Sequence, residues 1–364
     1  MSARSTDERW MRLALGLGAR GLGTTWPNPA VGCVIVNQGR VLGRGWTQAG
    51  GRPHAETMAL AQAGAAARGA SAYVTLEPCA HTGKTPPCAN ALIDAGIIRV
   101  VAALRDPDPR VAGKGFDKLR TAGIDLRLGV LEKEARQANI GFLTRMSKNR
   151  PCITLKLANS LDAKIATRTG ESQWITGPQA RAYVHMLRAT HDAVMVGSGT
   201  SIADDPSLNV RLKGLESRHP VRIIIDSNLA TPVDSHLGRS AKETPVWLCH
   251  KAGAPTESWQ KTGAKLIPCA PETQHLSLQD ALAKIADLGI TRVFCEGGGT
   301  LAASLIRSGF VDRLITMTAG LAIGADGIAN LAALGVDRLD QASRFKLVSF
   351  RCLGDDLVAE WDAD

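Results

Sequence analysis

The sequence predicts a two-domain α/β protein, and three observations support this fold class. The chain has 364 residues, whereas a single hydrophobic core rarely grows beyond about 250–300 residues. Segments with strand and helix character alternate in the first half, which predicts an α/β layer with a mostly parallel sheet. A charged, proline-containing interruption at residues 144–151 precedes a fresh series of strand-like segments. We therefore predict one domain over residues 1–148 and a second over residues 149–364.

Composition and charge exclude several classes of protein. Hydrophobic residues make up 45% of the chain and charged residues 21%, which argues against a disordered or fibrous protein. The net charge of +9 is scattered and aromatic residues are only 4%, so we expect no nucleic-acid partner. No apolar run approaches the roughly eighteen residues of a membrane span, and the N-terminus lacks the order of a secretory signal. We therefore expect a cytoplasmic protein without a membrane partner.

The first half begins with a helix and then alternates. From Thr6 onward, apolar residues recur at helical spacing, which predicts an amphipathic helix. The prolines of "WPNPAVGCVIV" end that helix, and the β-branched run at residues 31–36 predicts a strand. "HAETMALAQAG" predicts a helix beginning at or beside His54, and "ASAYVTLEPC" predicts a buried strand ending at Pro78. "CANALIDAGIIRVVAAL" then predicts a helix and a further strand.

The second half repeats this kind of alternation. "CITLKLANSLDAKIA" starts with a strand, and "HDAVMVGSGT", "VRIIIDS", "PVWLCH" and "TRVFCEGGGT" predict four more. Gly297 to Gly299 stand between the last of these strands and a helix, where unshielded backbone amides can hold a phosphate. The run is not the Gly-x-Gly-x-x-Gly fingerprint, and a glycine run alone is also an ordinary turn.

Three side chains in the first half form a metal-ligating set: His54, Cys79 and Cys88. Zinc accepts imidazole and thiolate ligands together, and a catalytic zinc has three protein ligands and one open position. We expect His54 to start one helix and Cys79 to start the next, so that both lie at the same edge of the sheet. The other six cysteines have no such context and are predicted to be structural.

Glu56 stands two residues after the histidine and has a separate predicted task. A carboxylate that is not a ligand can take a proton from the attacking water and pass it to the departing amine. A His-x-Glu segment followed by Pro-Cys and a second cysteine is typical of zinc deaminases. Here eight residues separate the two cysteines, a longer insert than in that signature.

Several segments resemble the bifunctional riboflavin-biosynthesis deaminase/reductase family across nearly the whole chain. They are "PNPAVGCVIV", "GRPHAE", "VTLEPCAHTGKTPPC", "LKLANSLDAKIA", "GESQWITG" and "ADDPSLNVR". The long insert between the cysteines is itself typical of that family. The resemblance implies a cytidine-deaminase-like N-terminal domain with Zn²⁺ and a dihydrofolate-reductase-like C-terminal domain with NADPH.

The resemblance also implies two reactions on small pyrimidine ribose phosphates. The first is hydrolytic deamination of 2,5-diamino-6-(5-phosphoribosylamino)pyrimidin-4(3H)-one. The second is NADPH-dependent reduction of the ribosyl group of 5-amino-6-(5-phosphoribosylamino)uracil to ribityl. Assembly into a homo-oligomer is left open.

Carried across position by position, the resemblance assigns a role to individual residues. In the first domain, zinc is held by His54, Cys79 and Cys88, the proton shuttle is Glu56, and the substrate contacts are Asn28, His81, Thr82 and Lys84. In the second domain, the cofactor contacts are Ala158, Trp174, Thr200, Asp204, Gly298, Gly299, Thr300, Leu301, Ala302, Ala303 and Ser304. The substrate contacts there are Ser172, Arg188, Leu208, Arg211 and Glu296, and the polar groups assisting hydride transfer are Lys156 and Asp204.

Some of these residues carry further physical expectations. Guanidinium groups bind phosphate oxygens in pairs, so Arg188 and Arg211 are expected to hold the ribose phosphate together. Ala163 replaces the glycine expected after Ser-Leu-Asp, and alanine resists the positive φ that glycine adopts, so this loop is expected to differ slightly. Structural alternatives remain: Trp174 in the core, Arg188 on a solvated helix face, and Asp204 or Asp205 as a turn acid before Pro206.

Two other functions remain open on the sequence alone. A tRNA adenosine deaminase shares the chemistry, but RNA editing does not require a second α/β domain. A zinc-stabilised nucleic-acid-binding module without turnover needs a fourth protein ligand that closes the metal site. His81 is the nearest candidate for that ligand.

Overall fold

Two large β-sheets organise the chain, one in each half. The computed structural model describes residues 3–81, 86–109 and 111–364. The chain divides into two structural units, residues 1–149 and 150–364, one residue later than the boundary predicted from the sequence. Among the described residues, no helix has both the length and the hydropathy needed to cross a membrane.

The first unit contains a five-stranded sheet with the order β2-β1-β3-β4-β5. Its strands are β1 (Gly32–Asn37), β2 (Arg40–Trp46), β3 (Ser71–Val74), β4 (Arg99–Ala102) and β5 (Asp125–Leu128). Its helices are α1 (Ala3–Gly18), α2 (Ala55–Ala63), α3 (Cys88–Asp94), α4 (Lys114–Thr121), α5 (Glu132–Ala138) and α6 (Ile140–Lys148).

This first sheet is mixed, which corrects the expectation of a mostly parallel one. β1 pairs antiparallel with β2 and with β3, while β3–β4 and β4–β5 are parallel. The reason is local, because β1 and β2 are joined by a two-residue turn. Its residues, Gln38 and Gly39, have φ values of 46° and 76°, and turns with two positive φ angles match the twist of a hairpin.

Helix α2 lies unusually close to strand β2, and this contact places the start of the helix. A Cβ atom added to Gly45 would lie 2.0 Å from the carbonyl oxygen of Ala55, and one added to Gly43 would lie 2.0 Å from that of Ala59. Only glycine fits at such an approach. The close packing brings the alanine face of α2 onto the sheet and sets His54 and Glu56 at the sheet edge.

A buried carboxylate anchors α1 to three strands of the same sheet. Asp7 is 2% exposed and accepts hydrogen bonds from the Tyr73 hydroxyl at 2.9 Å, from Arg99 at 2.9 Å and from Arg127 at 2.5 Å. Burial raises the pKa of Asp7, but the hydrogen bonds and charges of its partners outweigh burial and hold the pKa below its usual value. The network fixes the N-terminal helix on the sheet.

The second unit contains a nine-stranded sheet with the order β11-β10-β9-β8-β14-β6-β15-β18-β17. Its strands are β6 (Cys152–Asn159), β7 (Lys164–Ala166), β8 (Ala193–Gly197), β9 (Val221–Ile225), β10 (Val246–Lys251), β11 (Lys265–Cys269), β12 (Pro271–Glu272), β13 (His275–Leu276), β14 (Arg292–Cys295), β15 (Val311–Thr318), β16 (Ile328–Ala329), β17 (Phe345–Leu353) and β18 (Asp356–Ala363). Its helices are α7 (Pro178–Ala189), α8 (Ser198–Asp204), α9 (His236–Arg239), α10 (Glu257–Gln260), α11 (Leu278–Asp287) and α12 (Gly299–Arg307).

Most of this larger sheet is parallel. The β15–β18 and β18–β17 pairs are antiparallel, and the other neighbours in the sheet are parallel. The four strand-like segments of the sequence analysis are β8, β9, β10 and β14, so those predictions are confirmed. Parallel strands bring their carboxyl ends to one edge, where α/β proteins usually bind their ligands.

Candidate functional site

The three metal-ligating side chains of the first unit come together in space. The ligand atoms of His54, Cys79 and Cys88 all lie within 4.8 Å of one another. Nδ1 of His54 is 3.3 Å from Sγ of Cys88 and 3.7 Å from Sγ of Cys79. This arrangement suits one metal ion bound by an imidazole and two thiolates.

The local structure around these ligands differs from the expectation in one respect. His54 directly precedes α2, as predicted, but Cys79 lies in an irregular segment after β3 and does not open a helix. The helix begins at Cys88 instead, directly after Pro87. Pro87 disfavours the helical conformation of the residue before it, so the helix starts at the second cysteine.

Hydrogen bonds among the ligands favour thiolate at Cys79. Its Sγ accepts the backbone N–H of Cys88 at 3.3 Å. Hydrogen bonding from the Cys88 thiol lowers the pKa of Cys79 to about 4, although burial opposes this change. The same hydrogen bond, together with burial, raises the pKa of Cys88 far above its usual value. The hydrogen bond with Cys79 in turn raises the pKa of His54.

Glu56 lies in the first turn of α2, beside the ligands and away from solvent. Glu56 is 4% exposed. Burial raises the pKa of Glu56 to about 7, and the negative charge of Cys79 adds to this effect. A buried carboxyl group next to a metal-ligating set is a suitable proton carrier.

The other residues assigned to this pocket have mixed placements. Asn28 is half-buried and its Nδ2 donates to the carbonyl oxygen of Gly51 at 3.3 Å. His81 is half-buried, and its Nδ1 has no hydrogen-bond partner in the part of the chain that the structure describes. Thr82 and Lys84 lie outside the described residues. His81 does not join the metal-ligating group found in residues 3–81, 86–109 and 111–364, so the closed four-ligand site of a binding module is not seen there.

Two acidic residues near Cys79 were not singled out from the sequence. Glu77 is 3% exposed, and its carboxylate accepts the backbone N–H groups of Gly113 and Gly115, both at 3.0 Å. It therefore ties the start of α4 to the segment that carries Cys79. Burial raises the pKa of Asp106, which lies between β4 and α4, to about 6. The sequence shows a glutamate directly before Pro-Cys. Sequence alone cannot distinguish such a buried structural carboxylate from a solvent-exposed one.

The second unit contains a cavity of about 1760 Å³ at the carboxyl ends of β8, β9 and β14. Among the residues assigned to the reductase, those lining it are Lys156, Ala158, Ser172, Trp174, Arg188, Thr200, Asp204, Leu208, Arg211, Glu296, Gly298, Gly299, Thr300, Leu301 and Ser304. Ala302 and Ala303 do not line the cavity and are 0% and 1% exposed, because they lie on the buried side of α12.

The glycine run leaves backbone exposed to this cavity. Gly298 immediately precedes α12, and its N–H donates to the Thr200 hydroxyl at 2.9 Å. A Cβ atom added to Gly299 would lie 3.2 Å from backbone atoms of Ala329 and Ala332. The positive end of a helix attracts a phosphate, and no side chain at Gly298 or Gly299 blocks its approach, so the structure fits a pyrophosphate group at this position.

One of the two arginines is already bound by the protein. Arg188 forms a bidentate pair with Glu296, with Nε–Oε1 at 2.5 Å and Nη2–Oε2 at 3.0 Å. Its side chain is 12% exposed, so the alternative of a solvated helix residue is wrong. Arg211 is exposed, and its guanidinium has no ion pair or hydrogen bond among the described residues. Arg211 is therefore the arginine whose guanidinium group is available to a ligand in the cavity.

Lys156 and Asp204 both line the cavity, and the charge of each affects the pKa of the other. Burial lowers the pKa of Lys156, and the charges of Glu296 and Asp204 oppose this effect. Burial raises the pKa of Asp204, opposed by Lys156. The next residue, Asp205, accepts the backbone N–H of His236 at 2.7 Å and pairs with its ring at 2.6 Å, which ties this segment to the start of α9.

Two further expectations about this unit are settled by the structure. Trp174 is 64% exposed with the Arg181 guanidinium 4.7 Å from its ring centroid, so it is not a core residue. Ala163 has a φ of 60°, which means that alanine adopts the left-handed conformation that favours glycine. The alanine therefore carries backbone strain at this position.

Comparisons with known proteins cover both units. Residues 4–104 match the family described as the cytidine and deoxycytidylate deaminase zinc-binding region, and residues 151–359 match the RibD C-terminal domain. Riboflavin biosynthesis protein RibD of Escherichia coli (strain K12) is 44% identical over 364 residues, covering 96% of this chain and 98% of the relative. The protein of the same name from Aquifex aeolicus (strain VF5) is 41% identical and covers 98% of each chain.

Solved structures agree with these sequence comparisons. Acinetobacter baumannii RibD, form 2, superimposes with a TM-score of 0.90 at 38% identity, and both chains are covered completely. A diaminohydroxyphosphoribosylaminopyrimidine deaminase/5-amino-6-(5-phosphoribosylamino)uracil reductase from Thermotoga maritima gives a TM-score of 0.88 at 32% identity, again over 100% of both chains. Because sequence and structure match over nearly the full length of these proteins, the chain belongs to the riboflavin biosynthesis protein RibD family.

Proposed function

We propose that this chain catalyses two reactions of riboflavin biosynthesis, one in each unit. The first unit deaminates 2,5-diamino-6-(5-phosphoribosylamino)pyrimidin-4(3H)-one, and the second reduces the ribosyl group of 5-amino-6-(5-phosphoribosylamino)uracil with NADPH. The observation that carries the proposal is the presence in one chain of a three-ligand metal-binding set and a large cavity with a glycine-lined helix start. The Thermotoga maritima relative is named for both activities.

The donor set of the first unit fits zinc. One imidazole nitrogen and two sulfur atoms within 4.8 Å of one another are the mixed ligands that zinc accepts. Held by His54, Cys79 and Cys88, zinc supplies Lewis acidity that activates water for attack. Three protein ligands are the number typical of catalytic rather than structural zinc, which favours turnover over a binding module.

Glu56 moves the protons of the deamination. It sits at the start of α2, two residues from His54, and is shielded from bulk water. From this position the carboxylate takes a proton from the attacking water and delivers it to the ring nitrogen. It then takes the second proton from the hydroxyl group now bound to the attacked carbon and passes it to the departing amine.

The cavity of the second unit fits a nicotinamide dinucleotide and a phosphorylated substrate. The coenzyme would supply the hydride, and Gly298 and Gly299 at the start of α12 would hold its pyrophosphate. Arg211 binds the ribose phosphate of the substrate, because it presents the free guanidinium. Glu296, oriented by Arg188, accepts hydrogen bonds from the pyrimidine, and Lys156 provides a proton near the reacting ribosyl carbon.

All partners in this proposal are small molecules, and we place the protein in the cytoplasm. All eight cysteines are free thiols, and two of them serve as ligands only when reduced. A reducing compartment keeps such thiols available.

One experiment tests both activities. The zinc-loaded protein is incubated with the diaminopyrimidinone ribosylamino phosphate while ammonia is measured, and NADPH is then added while its absorbance is followed. Ammonia release followed by NADPH oxidation supports both assignments. Ammonia without oxidation removes the reductase assignment, and the absence of both signals removes the proposal as a whole.

A further inference from the structure

The segment that carries Arg211 is held by two histidine rings. The backbone N–H of Arg211 donates to Nδ1 of His185 at 3.2 Å. The backbone N–H of the preceding residue, Val210, donates to Nδ1 of His219 at 3.3 Å. Two consecutive amides of the chain are therefore bound by imidazole nitrogen rather than by other backbone groups. Sequence reasoning gave neither histidine a role.

Helix α7 supplies two contacts to this segment from neighbouring turns. Besides the contact of His185 with Arg211, Nη1 of Arg188 donates to the carbonyl oxygen of Asn209 at 3.0 Å. His185, Arg188 and Arg211 all line the cavity. The helix thus fixes the backbone on both sides of Val210, while the guanidinium of Arg211 has no partner among the described residues and lies free at the cavity.

The contact between His185 and Arg211 requires a neutral ring. A backbone N–H can donate to Nδ1 only when that nitrogen carries no proton. Burial lowers the pKa of His185, and the positive charges of Arg188 and Arg211 lower it further. Glu296 and a hydrogen bond to the backbone of Asn209 oppose these effects without reversing them. These are the groups that face the ring, and together they keep it neutral near physiological pH.

We propose that His185 is a positioning residue of the reductase, holding the backbone of Arg211 so that the guanidinium meets the substrate phosphate. This inference rests on the reductase function proposed above. His185 acts through Arg211 and does not touch the reacting atoms, so it controls substrate affinity rather than hydride transfer. Protonation turns Nδ1 into a donor facing another donor, which releases the segment and weakens substrate binding.

The kinetic test compares two substitutions of the same residue. His185→Leu removes the acceptor, and the KM for the ribosylaminouracil phosphate is expected to rise about tenfold, as for loss of one hydrogen bond at a partly buried group. The kcat and the KM for NADPH stay near the wild-type values. His185→Gln keeps an acceptor oxygen and should retain most of the affinity. The control is Met186→Leu, on the exposed side of the same helix.

Two kinetic results would overturn the inference. One is an unchanged substrate KM in His185→Leu, and the other is equal impairment of the leucine and glutamine variants, which would exclude the acceptor as the cause. A pH profile adds a second criterion. Between pH 8 and pH 5.5, the wild-type KM should rise more steeply than that of His185→Gln, in which only the substrate phosphate titrates at this contact. Parallel profiles count against the inference.

Backbone hydrogen exchange tests the contact without any substrate. A peptide spanning residues 208–212 should exchange faster in His185→Leu than in the wild type and His185→Gln at the same pH. Equal protection in all three proteins would overturn the positioning role. Because this readout needs no turnover, it still decides the role of His185 if the wild type fails to oxidise NADPH, a result that would instead refute the proposed reductase function.

Discussion

Glu56→Gln separates proton transfer from every other function of the first unit. Glutamine has nearly the same shape, so it keeps the packing at the start of α2, and the residue is not one of the three ligands. With Glu56 only 4% exposed, bulk water has little access to replace the lost carboxylate. One positioned acid or base contributes about 10²–10⁴-fold. Because this residue serves two transfers, we expect ammonia release to fall by about 10⁴-fold, or about 5.4 kcal/mol.

The assay measures ammonia release, bound zinc and NADPH oxidation on the same preparation. Zinc content and reduction of the pre-deaminated uracil compound should match those of the wild type. The matched control is Glu77→Gln, a second buried carboxylate nearby whose partners are backbone amides. That variant should lose stability, because an amide group then faces backbone donors. Ammonia release by Glu56→Gln within about tenfold of the wild type would refute the assignment, because proton transfer typically contributes more than this.

Three further predictions concern Arg211, Ala163 and Asp7. Arg211→Ala should raise the reductase substrate KM about 10–100-fold through the lost charged hydrogen bonds, with ammonia release unchanged; an unaltered KM would count against phosphate binding there. Ala163→Gly, which relieves the positive φ, should stabilise the protein by about 1 kcal/mol in urea unfolding, and a lower midpoint would contradict it. Asp7→Asn should cost about 2–3 kcal/mol at pH 7. Because the folded pKa of Asp7 is lowered, this difference should persist down to about pH 4 and disappear only as the pH falls further; a constant difference in acid would contradict the ionic origin.

Local patterns in the sequence predicted most elements because periodicity reflects which face of a segment is buried. The strand after the first helix and the strands β8, β9, β10 and β14 are of this kind. The fold class of each half followed from the resemblance and is confirmed by the matching families and structures. The parallel character of the first sheet was predicted wrongly, because the two-residue hairpin at Gln38 and Gly39 was not recognised.

Helix boundaries and side-chain environments were less accessible. Cys79 was predicted to begin a helix, but the helix begins at Cys88. The prolines at the end of the insert set this start, because a proline disfavours the helical conformation of the residue before it. Trp174 and Arg188 had open structural alternatives, since exposure depends on what other segments cover. His185 and His219 gave no signal at all, because each bonds a backbone amide, and any residue can supply such an amide.

The sequence by itself determined the chemistry available to this protein. It supplied an imidazole and two thiols for a metal, a separate carboxyl group, and a glycine run before a helix, because side-chain identity fixes ligand type and charge. Only the tertiary structure decided how these groups are used. It buried Glu56, paired Arg188 with Glu296 across 108 residues, and left Arg211 free at the cavity. Burial and pairing depend on segments distant in sequence, and these are the terms that set a group's protonation and availability.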